Sequence, residues 1–590
     1  MLRIPINEQG WGLLTRLIRS FAASAVGGKA VGLFALLIGL LLGINGLNIV
    51  NSYVGRDFMT AIADRNLDVY SRQALLYVAV FAASTLVAVC LRYVEERLGL
   101  LWRDWMTRRF VELYLKYPTY YRMNDELIRS SGIEYPDQRI ADDVRVFTTT
   151  TLSFTLMLLN GLFTVVAFSG VLWTISPQLF VAAVLYALIG SLLTVRLGSA
   201  LIDLNDAQLD REAAFRSGLI HVRERAESVA LLHQEDRLLP RLMRQFDAVA
   251  ANVRKIIAVN RNLGFFTTGY NYLVQIIPVL LVAPLFMQGQ VEFGVITQSA
   301  MAFAMLVGAF SLIITQFQSI SSFAAVVQRL INLWYAIELA QTETVSGLDV
   351  CEGSDQVVYE QVTLRSPTDG HVLVHDLSLV IPYGTRVLVT GPDDTAKDAL
   401  FKATAGIWDT GSGRVIRPPL DRILFLPERP YLPPGTLRQA LIPSPSEEVI
   451  RDDRIVDTLR ALGLEALLAH AGGLDAEHDW DSLLSVREQQ LVSFARILLA
   501  SPRFAVLYHP GTDLDPEELG RMLKSLADHG ITYLTLGRPG RRGRDERLEN
   551  YDAVLALNGE GGWEWQEIRN GRPEDDGGAA APKRRVLPLT

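Results

Sequence analysis

Long apolar runs are the feature that most restricts the fold of this chain, and almost all of them precede residue 340. A helix needs about 20 mostly apolar residues to cross the hydrocarbon core of a bilayer. Six stretches meet this criterion, and they lie at 30–54, 73–94, 150–174, 177–199, 264–287 and 295–318. The first part of the chain is therefore predicted to be a membrane α-helical domain with six transmembrane helices.

Two connections between these spans, 96–146 and 200–262, are long and rich in arginine, whereas the others are short and hold few basic residues. Basic connections stay on the cytoplasmic side of a membrane, so these two segments and both termini are predicted to be cytoplasmic. Apolar residues recur in them at helical spacing. We therefore expect the helices to continue below the membrane.

The N-terminal residues 1–28 lack a short apolar core followed by a small-residue cleavage site, so no cleaved signal is expected. They are predicted to form an amphipathic helix at the membrane surface. The side chains assigned to its wet–dry boundary are Trp11, Leu13, Leu14, Leu17, Ile18 and Phe21. The region 29–343 is then the transmembrane domain.

After about residue 345, short strand-like runs alternate with helical stretches. This pattern is typical of an α/β domain with a largely parallel sheet, here predicted over 344–565 and followed by a disordered tail at 566–590. The net charge of −8 gives no reason to expect a nucleic-acid partner. Cys90 and Cys351 lie in different regions, so neither a disulfide nor a metal site is expected.

The segment RVLVTGPDDTAKDALFKATAG, 386–406, has the strand, loop and helix order of a phosphate-binding loop. A working loop reads G-x-x-x-x-G-K-[ST], with amides and a lysine for phosphates and a hydroxyl for Mg²⁺. Gly391 and Lys397 remain, whereas Ala396 replaces the second glycine and Asp398 replaces the hydroxyl. Two more aspartates in the loop disfavour ATP and Mg²⁺ without excluding them. A plain strand-to-helix turn is the alternative interpretation.

Two cytoplasmic segments, IEYPDQRIADDV at 133–144 and HVRERAESVALL at 221–232, resemble those of D-type ABC half-transporters, which include peroxisomal fatty-acyl transporters. The order of six spans and an α/β domain also resembles this family and its type IV exporter-like fold. SbmA/BacA-like peptide and vitamin uptake proteins share the membrane domain. The resemblance implies a dimer with its α/β domains sandwiched head to tail, and coupling roles for Asp137, Gln138 and Glu227.

The resemblance also locates two further nucleotide motifs of the family. In FLPERPYLPPGTL, Glu428 stands where the family has a glutamine. In LLSVREQQLVSFARILLASP, which resembles the signature motif, Ser485 is kept and Arg487 stands at the glycine position. A glycine there lets the backbone approach a phosphate closely, so Arg487 is expected to hinder normal closure. A capped helix that packs on the sheet is the alternative for this segment.

The segment FAVLYHPGTDLD resembles the family's FLDEATSALD. Tyr508 stands at the Mg²⁺-linked aspartate and His509 at the catalytic glutamate, while Asp515 is kept. Arg538 stands where the family's switch strand presents a histidine. A neutral phenol is a poor Mg²⁺ ligand, and phosphoryl transfer depends on charge stabilisation and water positioning. The resemblance therefore implies a nucleotide domain that is hydrolytically silent in its own site.

Polar and ionisable side chains at membrane depth are candidates for a translocation pathway. These candidates are Asn45, Asn48, Arg92, Glu95, Glu96, Gln275 and Gln316. Snorkelling and hydrogen bonding between helices is the alternative explanation. If the pathway exists, Glu95 and Glu96 could carry protons in an ion-coupled transporter.

Three functional hypotheses remain open. The first is a homodimeric transporter of a bacterial inner membrane that moves a peptide-, vitamin- or acyl-like solute without ATP hydrolysis. The second is the degenerate subunit of a heterodimer whose intact partner hydrolyses ATP. The third is a receptor or scaffold without transport activity on the same fold.

Overall fold

The computed structural model describes residues 8–123, 136–341, 347–353, 355–442, 450–510, 514–537, 548–569 and 572–573. The chain divides into two compact units, Met1–Gln341 and Thr342–Thr590. The first unit is helical, and the second contains the described strands. The predicted fold class, a membrane helical region followed by an α/β domain, is confirmed.

The helices of the first unit are long because their apolar runs continue into polar extensions. They are α1 Glu8–Ala22, α2 Gly27–Ala63, α3 Leu67–Leu115, α4 Thr119–Arg122, α5 Pro136–Ile175, α6 Pro177–Glu224, α7 Ala226–Leu232, α8 Glu235–Met287, α9 Gly294–Thr315 and α10 Phe317–Gln341. A π-helical turn at Arg139–Asp143 interrupts α5 near its start. At 49 residues, α3 extends well beyond the length that a bilayer requires.

Seven described helices, rather than the six predicted, are long and apolar enough to cross a membrane. Five predicted spans lie wholly within helices, and the sixth, 295–318, runs past the end of α9 at Thr315. The additional helix segment is Ser322–Gln341 in α10, and half of its apolar window is buried inside the protein. The sequence criterion missed it because Arg329 and Glu338 interrupt its apolar run.

The apolar face of α10 packs against the C-terminal part of α3. Phe110 of α3 and Trp334 of α10 meet edge to face, with their ring centroids 6.0 Å apart. Arg329 of α10 donates two hydrogen bonds, of 2.8 and 2.6 Å, to the carboxylate of Asp143 in the π-helical turn of α5. Helix α10 is thus in contact with both α3 and α5.

The N-terminal helix α1 is amphipathic, but its apolar side packs on protein. Leu17 and Phe21 are buried, whereas Ile18 is 41% exposed. The Phe21 ring stacks on Trp102 of α3, with ring centroids 5.6 Å apart. Leu17 and Phe21 therefore contact protein side chains, and the location of α1 at the membrane surface stays a prediction.

The second unit contains a seven-stranded sheet in the order β13-β12-β11-β4-β10-β9-β6 and a four-stranded sheet in the order β1-β5-β2-β3. A short pair, β7-β8, completes the described strands. The bounds are β1 Gly347–Glu352, β2 Gln356–Arg365, β3 Val372–Pro382, β4 Val387–Thr390, β5 Gly411–Arg417, β6 Ile423–Leu426, β7 Gly435–Thr436, β8 Glu477–His478, β9 Phe504–Tyr508, β10 Thr532–Leu536, β11 Ala553–Leu557, β12 Trp563–Arg569 and β13 Arg572–Pro573.

The strands β11, β4, β10, β9 and β6 run parallel, and residues of β4, β9 and β10 are almost entirely buried. Continuous burial is expected where helices cover both faces of a parallel sheet. The helices of this unit are α11 Asp394–Ala405, α12 Leu437–Leu441, α13 Asp452–Ala461, α14 Glu465–His470, α15 Trp480–Leu483, α16 Val486–Ala500 and α17 Pro516–Asp528. The carboxyl ends of β4 and β9 meet at one edge, which holds the candidate site.

Candidate nucleotide site and membrane polar residues

The turn from β4 to α11 is the predicted phosphate-binding loop. A Cβ atom at Gly391 would lie 2.6 Å from the carbonyl oxygen of Leu557 at the end of β11, so this position needs glycine for close packing. Asp393 is the N-cap of α11, and its carboxylate accepts a 2.9 Å hydrogen bond from the Thr395 amide. An N-terminal amide of the helix, of the kind that binds phosphate, therefore already has an anionic partner.

The Lys397 side chain is fully buried. Its Nζ atom donates a 3.0 Å hydrogen bond to the carbonyl oxygen of Gly537, just after β10. The same atom lies 2.7 Å from Oδ1 of Asp394 in the first turn of α11. The ammonium group thus has two partners from the protein.

The two altered loop positions, Ala396 and Asp398, have structural surroundings of their own. Ala396 is completely buried in the core of the unit. Asp398, which replaces the hydroxyl, lies 2.7 Å from Nζ of Lys402 in an i,i+4 ion pair on α11. Such a pair stabilises a helix by about 0.2–0.5 kcal/mol.

At the tip of β9, Tyr508 packs among aromatic rings. Its ring stacks on His509 with centroids 4.2 Å apart, and it lies 5.3 Å from the Phe401 ring of α11. Burial raises the pKa of the phenol, and the carboxylates of Asp398, Asp394 and Glu428 raise it further. Tyr508 is therefore a neutral phenol at neutral pH.

The imidazole of His509 lies between two carboxylates. Its Nε2 atom is 3.7 Å from Oδ1 of Asp394, and its Nδ1 atom is 3.8 Å from Oε2 of Glu428. Burial lowers the pKa of the ring, as does the charge of Lys397, while the two carboxylates oppose the change. The low pKa keeps the imidazole neutral at neutral pH.

Glu428 belongs to this cluster because the segment after β6 approaches α16. The backbone carbonyl of Glu428 accepts a 3.1 Å hydrogen bond from Nε2 of Gln490. The structure therefore brings together Lys397, Tyr508, His509 and Glu428 with Asp394, which the sequence analysis counted only as extra charge.

The segment that resembles the signature motif begins helix α16. Ser485 and Glu488 form a capping box, in which the Glu488 amide donates to Oγ of Ser485 and the Ser485 amide donates to the Glu488 carboxylate. The Arg487 guanidinium lies 2.7 Å from the Glu518 carboxylate on α17. Asp515 is the N-cap residue of α17, and its side chain makes no capping hydrogen bond. The sequence analysis did not identify Glu518 as the partner of Arg487.

The three predicted coupling residues have exposed side chains. Asp137 and Gln138 lie at the start of α5, and Glu227 lies on α7. Arg538, predicted at the switch position, lies outside the described residues.

In the membrane unit, Asn45 of α2 is buried and joins two helices. Its amide group donates 2.9 and 2.8 Å hydrogen bonds to the Leu41 carbonyl and to Oδ1 of Asn160 on α5, and its Oδ1 atom accepts a 3.0 Å bond from Thr164. Asn48 is partly buried on the same helix. The sequence analysis did not identify Asn160. It lies in the third predicted span, and a polar amide within that apolar run could have indicated it.

The remaining translocation candidates occupy different environments. Arg92 and Glu96 form an exposed i,i+4 ion pair of 3.1 Å on α3, beside the half-buried Glu95. Gln275 is exposed on α8, and Gln316 lies at the turn between α9 and α10. Arg92, Glu95 and Glu96 lie within five residues of one another on α3.

Comparison with known proteins agrees with this architecture. Residues 18–287 match the family described as ABC transporter transmembrane region 2. The chain is 35% identical to an uncharacterised ABC transporter ATP-binding protein of Synechocystis sp., over 91% of this chain and 82% of the relative. It is 34% identical to ABC transporter D family member 2, chloroplastic, of Arabidopsis thaliana, over 89% and 86%.

A more distant relative is the lysosomal cobalamin transporter ABCD4 of Mus musculus, which is 26% identical over 86% of this chain and 88% of the relative. The membrane helices, the sheet order and these similarities all lead to one assignment. This multi-pass membrane protein belongs to the D-type subfamily of ABC half-transporters.

Proposed function

We propose that this half-transporter forms a dimer that moves an acyl-, vitamin- or peptide-like solute, and that its nucleotide domain does not hydrolyse ATP. In this proposal the second unit holds the two halves together and couples their movements. The single observation that carries it is the state of Lys397, whose ammonium group is fully buried and bound by Gly537 and Asp394.

The geometry around Lys397 supports a site that does not fit Mg²⁺ and ATP. Two unit charges about 4 Å apart interact by roughly 4 kcal/mol at an effective dielectric constant near 20. A triphosphate would approach the carboxylates of Asp393, Asp394 and Asp398 and would have to compete with Asp394 for the lysine. This repulsion opposes the gain from the helix amides.

The tip of β9 supports the absence of hydrolysis independently. Tyr508 is a neutral phenol among aromatic rings, and His509 is a buried neutral imidazole. Neither side chain supplies the carboxylate that normally anchors Mg²⁺ or positions water. Because several independent positions differ, one favourable side chain would not restore the reaction.

The test is ATP hydrolysis and ATP binding by the full-length protein in proteoliposomes. The comparison variant carries Tyr508→Asp, His509→Glu and Asp398→Ser together, and the control carries Asp528→Asn, an exposed change at the end of α17. We expect no turnover in the unaltered protein or the control. Turnover of Mg-ATP by the unaltered protein at rates typical of transporters would refute the proposal.

The dimer is proposed to be a homodimer in a bacterial inner membrane, with both termini in the cytoplasm. One relative, at 24% identity, is named an inner membrane ABC transporter ATP-binding protein of Escherichia coli, which supports this location. Transport driven by an ion gradient is proposed because the sequence of the membrane domain is predicted to resemble that of SbmA/BacA-like proteins, which have no nucleotide domain. Chemical cross-linking of differently tagged copies tests the homodimer.

A heterodimer with an intact half is the second candidate. The Arg487–Glu518 ion pair disfavours it, because the arginine occupies the position at which a glycine would approach the partner's nucleotide. If the tagged copies fail to cross-link to each other but recover a second half-transporter, the heterodimer replaces the homodimer. A receptor or scaffold role would be favoured if the homodimer carried no solute under any gradient.

A further inference from the structure

A cavity of about 450 Å³ lies between α1, the lower part of α3 and α10. Its volume is within the range of small-molecule sites in proteins, about 300–1,000 Å³. The lining combines three arginines, Arg16, Arg108 and Arg109, with the aromatic side chains of Trp105 and Trp334. None of these residues belongs to the nucleotide site or to the translocation candidates.

The pairing of α2 with α3 sets the depth of this cavity. A Cβ atom at Gly43 would lie 3.8 Å from Val87, and one at Gly55 would lie 3.6 Å from Tyr77, so the helices are antiparallel in a defined register. Extending that register places the start of α2 at Gly27 level with the turn that contains Trp102 and Trp105. The apolar run of α2 begins one turn later, so this register places Trp105 near the headgroup level of the membrane, and Arg108 and Arg109 about one turn farther from the hydrocarbon core.

The charges of the cavity favour an anion. Arg108 pairs with Asp104 at 2.9 Å and Arg109 with Glu112 at 4.0 Å, and all four side chains are more than half exposed. Exposed pairs of this kind are weak, so the guanidinium groups can take another partner. Among the described residues, Arg16 has no carboxylate within ion-pair distance. Arginine binds phosphate through several parallel hydrogen bonds.

The aromatic wall favours an amphiphile over a free anion. Trp105 lies 5.4 Å from Phe21 of α1, and Trp334 lies 6.0 Å from Phe110, so both indoles are held in place by neighbouring rings. Tryptophan is enriched at the membrane interface, where its ring contacts glycerol and the first methylene groups of lipids. Inorganic phosphate would use the arginines but would leave this apolar wall without a partner.

We propose that this cavity binds the phosphate-bearing headgroup of an anionic phospholipid and so attaches α1 to the membrane surface. The arginines contact the phosphate, and the indoles contact the glycerol region. The bound lipid therefore joins α1 to α3 and α10. The ligand follows from the charge, the aromatic lining and the depth of the cavity.

The test uses full-length protein in nanodiscs of phosphatidylcholine that contain a phosphatidylglycerol with a photoreactive group near its headgroup. Peptides labelled after irradiation are identified by mass spectrometry. We expect labelling of the peptides that contain Trp105 and Trp334. We expect at least about tenfold less labelling in the variant R16Q/R109Q, because two charge-assisted contacts are lost.

The matched control is R19Q/R103Q, which removes two positive charges from the same two helices at exposed positions outside the cavity. It should be labelled as strongly as the unaltered protein. The conservative variant R16K/R109K should recover part of the labelling, which separates loss of binding from loss of folding. Equal loss in R16Q/R109Q and the control would overturn the proposal.

Two further outcomes would also overturn it. Equal labelling by photoreactive phosphatidylcholine would mean that the cavity does not recognise anionic headgroups. Competition by inorganic phosphate as strong as that by phosphatidylglycerol would identify a free phosphate as the ligand. None of these readouts depends on transport or on ATP, so they test the cavity separately from the proposed function.

Discussion

At the scale of single residues, Lys397 has the burial and the contacts of a structural core residue. Replacing it with methionine leaves the Gly537 carbonyl and the Asp394 carboxylate without their cation. We expect destabilisation by about 1–3 kcal/mol, since a buried hydrogen bond to a charged group is lost. The measurement is the melting temperature of the full-length protein in detergent.

The matched control for this prediction is Lys402→Met on the same helix. Lys402 is 31% exposed, forms an i,i+4 ion pair with Asp398 and lies 6.0 Å from the Trp408 ring centroid, so its loss should cost less than about 1 kcal/mol. A melting temperature that falls equally in both variants would show that the buried contacts of Lys397 contribute no more to stability than those of an exposed lysine. The experiment thus separates a core lysine from a surface one.

His509 gives the second unit a dependence on pH. Its pKa is below the ordinary value of 6.5, so the native state favours the neutral ring. The resulting stability is complete above that ordinary pKa and declines as the pH falls toward the lower native pKa, because the unfolded chain binds the proton first. When the pH is lowered from about 7.5 to about 5.5, we expect the melting temperature of the His509→Gln variant to fall less than that of the unaltered protein.

An exposed histidine serves as the comparison for that experiment. His529 follows the end of α17 and is exposed. His529→Gln should keep the pH dependence of the unaltered protein. If His509→Gln also kept it in full, the buried imidazole would not be its source.

At the scale of elements, the ion pair between Arg329 and Asp143 attaches α10 to the π-helical turn of α5. The Asp143 side chain is only 10% exposed, whereas Arg329 is 45% exposed. We expect Arg329→Gln to destabilise the first unit by about 1–2 kcal/mol, less than a fully buried pair because water reaches the guanidinium. Thermal unfolding in detergent measures the change.

The control is Arg145→Gln, which removes the i,i+3 pair with Asp142 one turn away. Both members of that pair are more than half exposed, so the expected loss is at most about 0.5 kcal/mol. Similar losses in the two variants would mean that contact between α5 and α10 does not depend on the buried carboxylate.

Local sequence signals were sufficient for most of the elements but not for their contacts. Apolar length predicted the spans, and the alternation of short runs predicted the sheet of the second unit. Helix α10 was missed because its apolar stripe is interrupted by Arg329, whose partner Asp143 is distant in sequence. The Arg487–Glu518 pair and the Asn45–Asn160 bond were missed for the same reason, since spacing along one helix carries no information about a second helix.

At the scale of the whole molecule, the separation into two units raises the question of which one supplies the driving force. If the second unit does not hydrolyse ATP and the protein is a homodimer, as proposed, an ion gradient acting on the first unit is the expected driving force. We propose that Glu95 and Glu96 on α3, beside Arg92, are the carboxylates that bind the protons.

We therefore expect proteoliposomes that contain the full-length protein to take up solute under a proton gradient, with or without Mg-ATP. Labelled cobalamin and a fatty-acyl thioester are suitable probes, given the D-type relatives. The variant Glu95→Gln, Glu96→Gln should lose most gradient-driven uptake, because neutral amides cannot bind and release the proton. Asp68→Asn, an exposed change in the first turn of α3, should retain it. Uptake that requires Mg-ATP and does not depend on the gradient in any variant would contradict this prediction. It would indicate that ATP hydrolysis by the second unit drives transport.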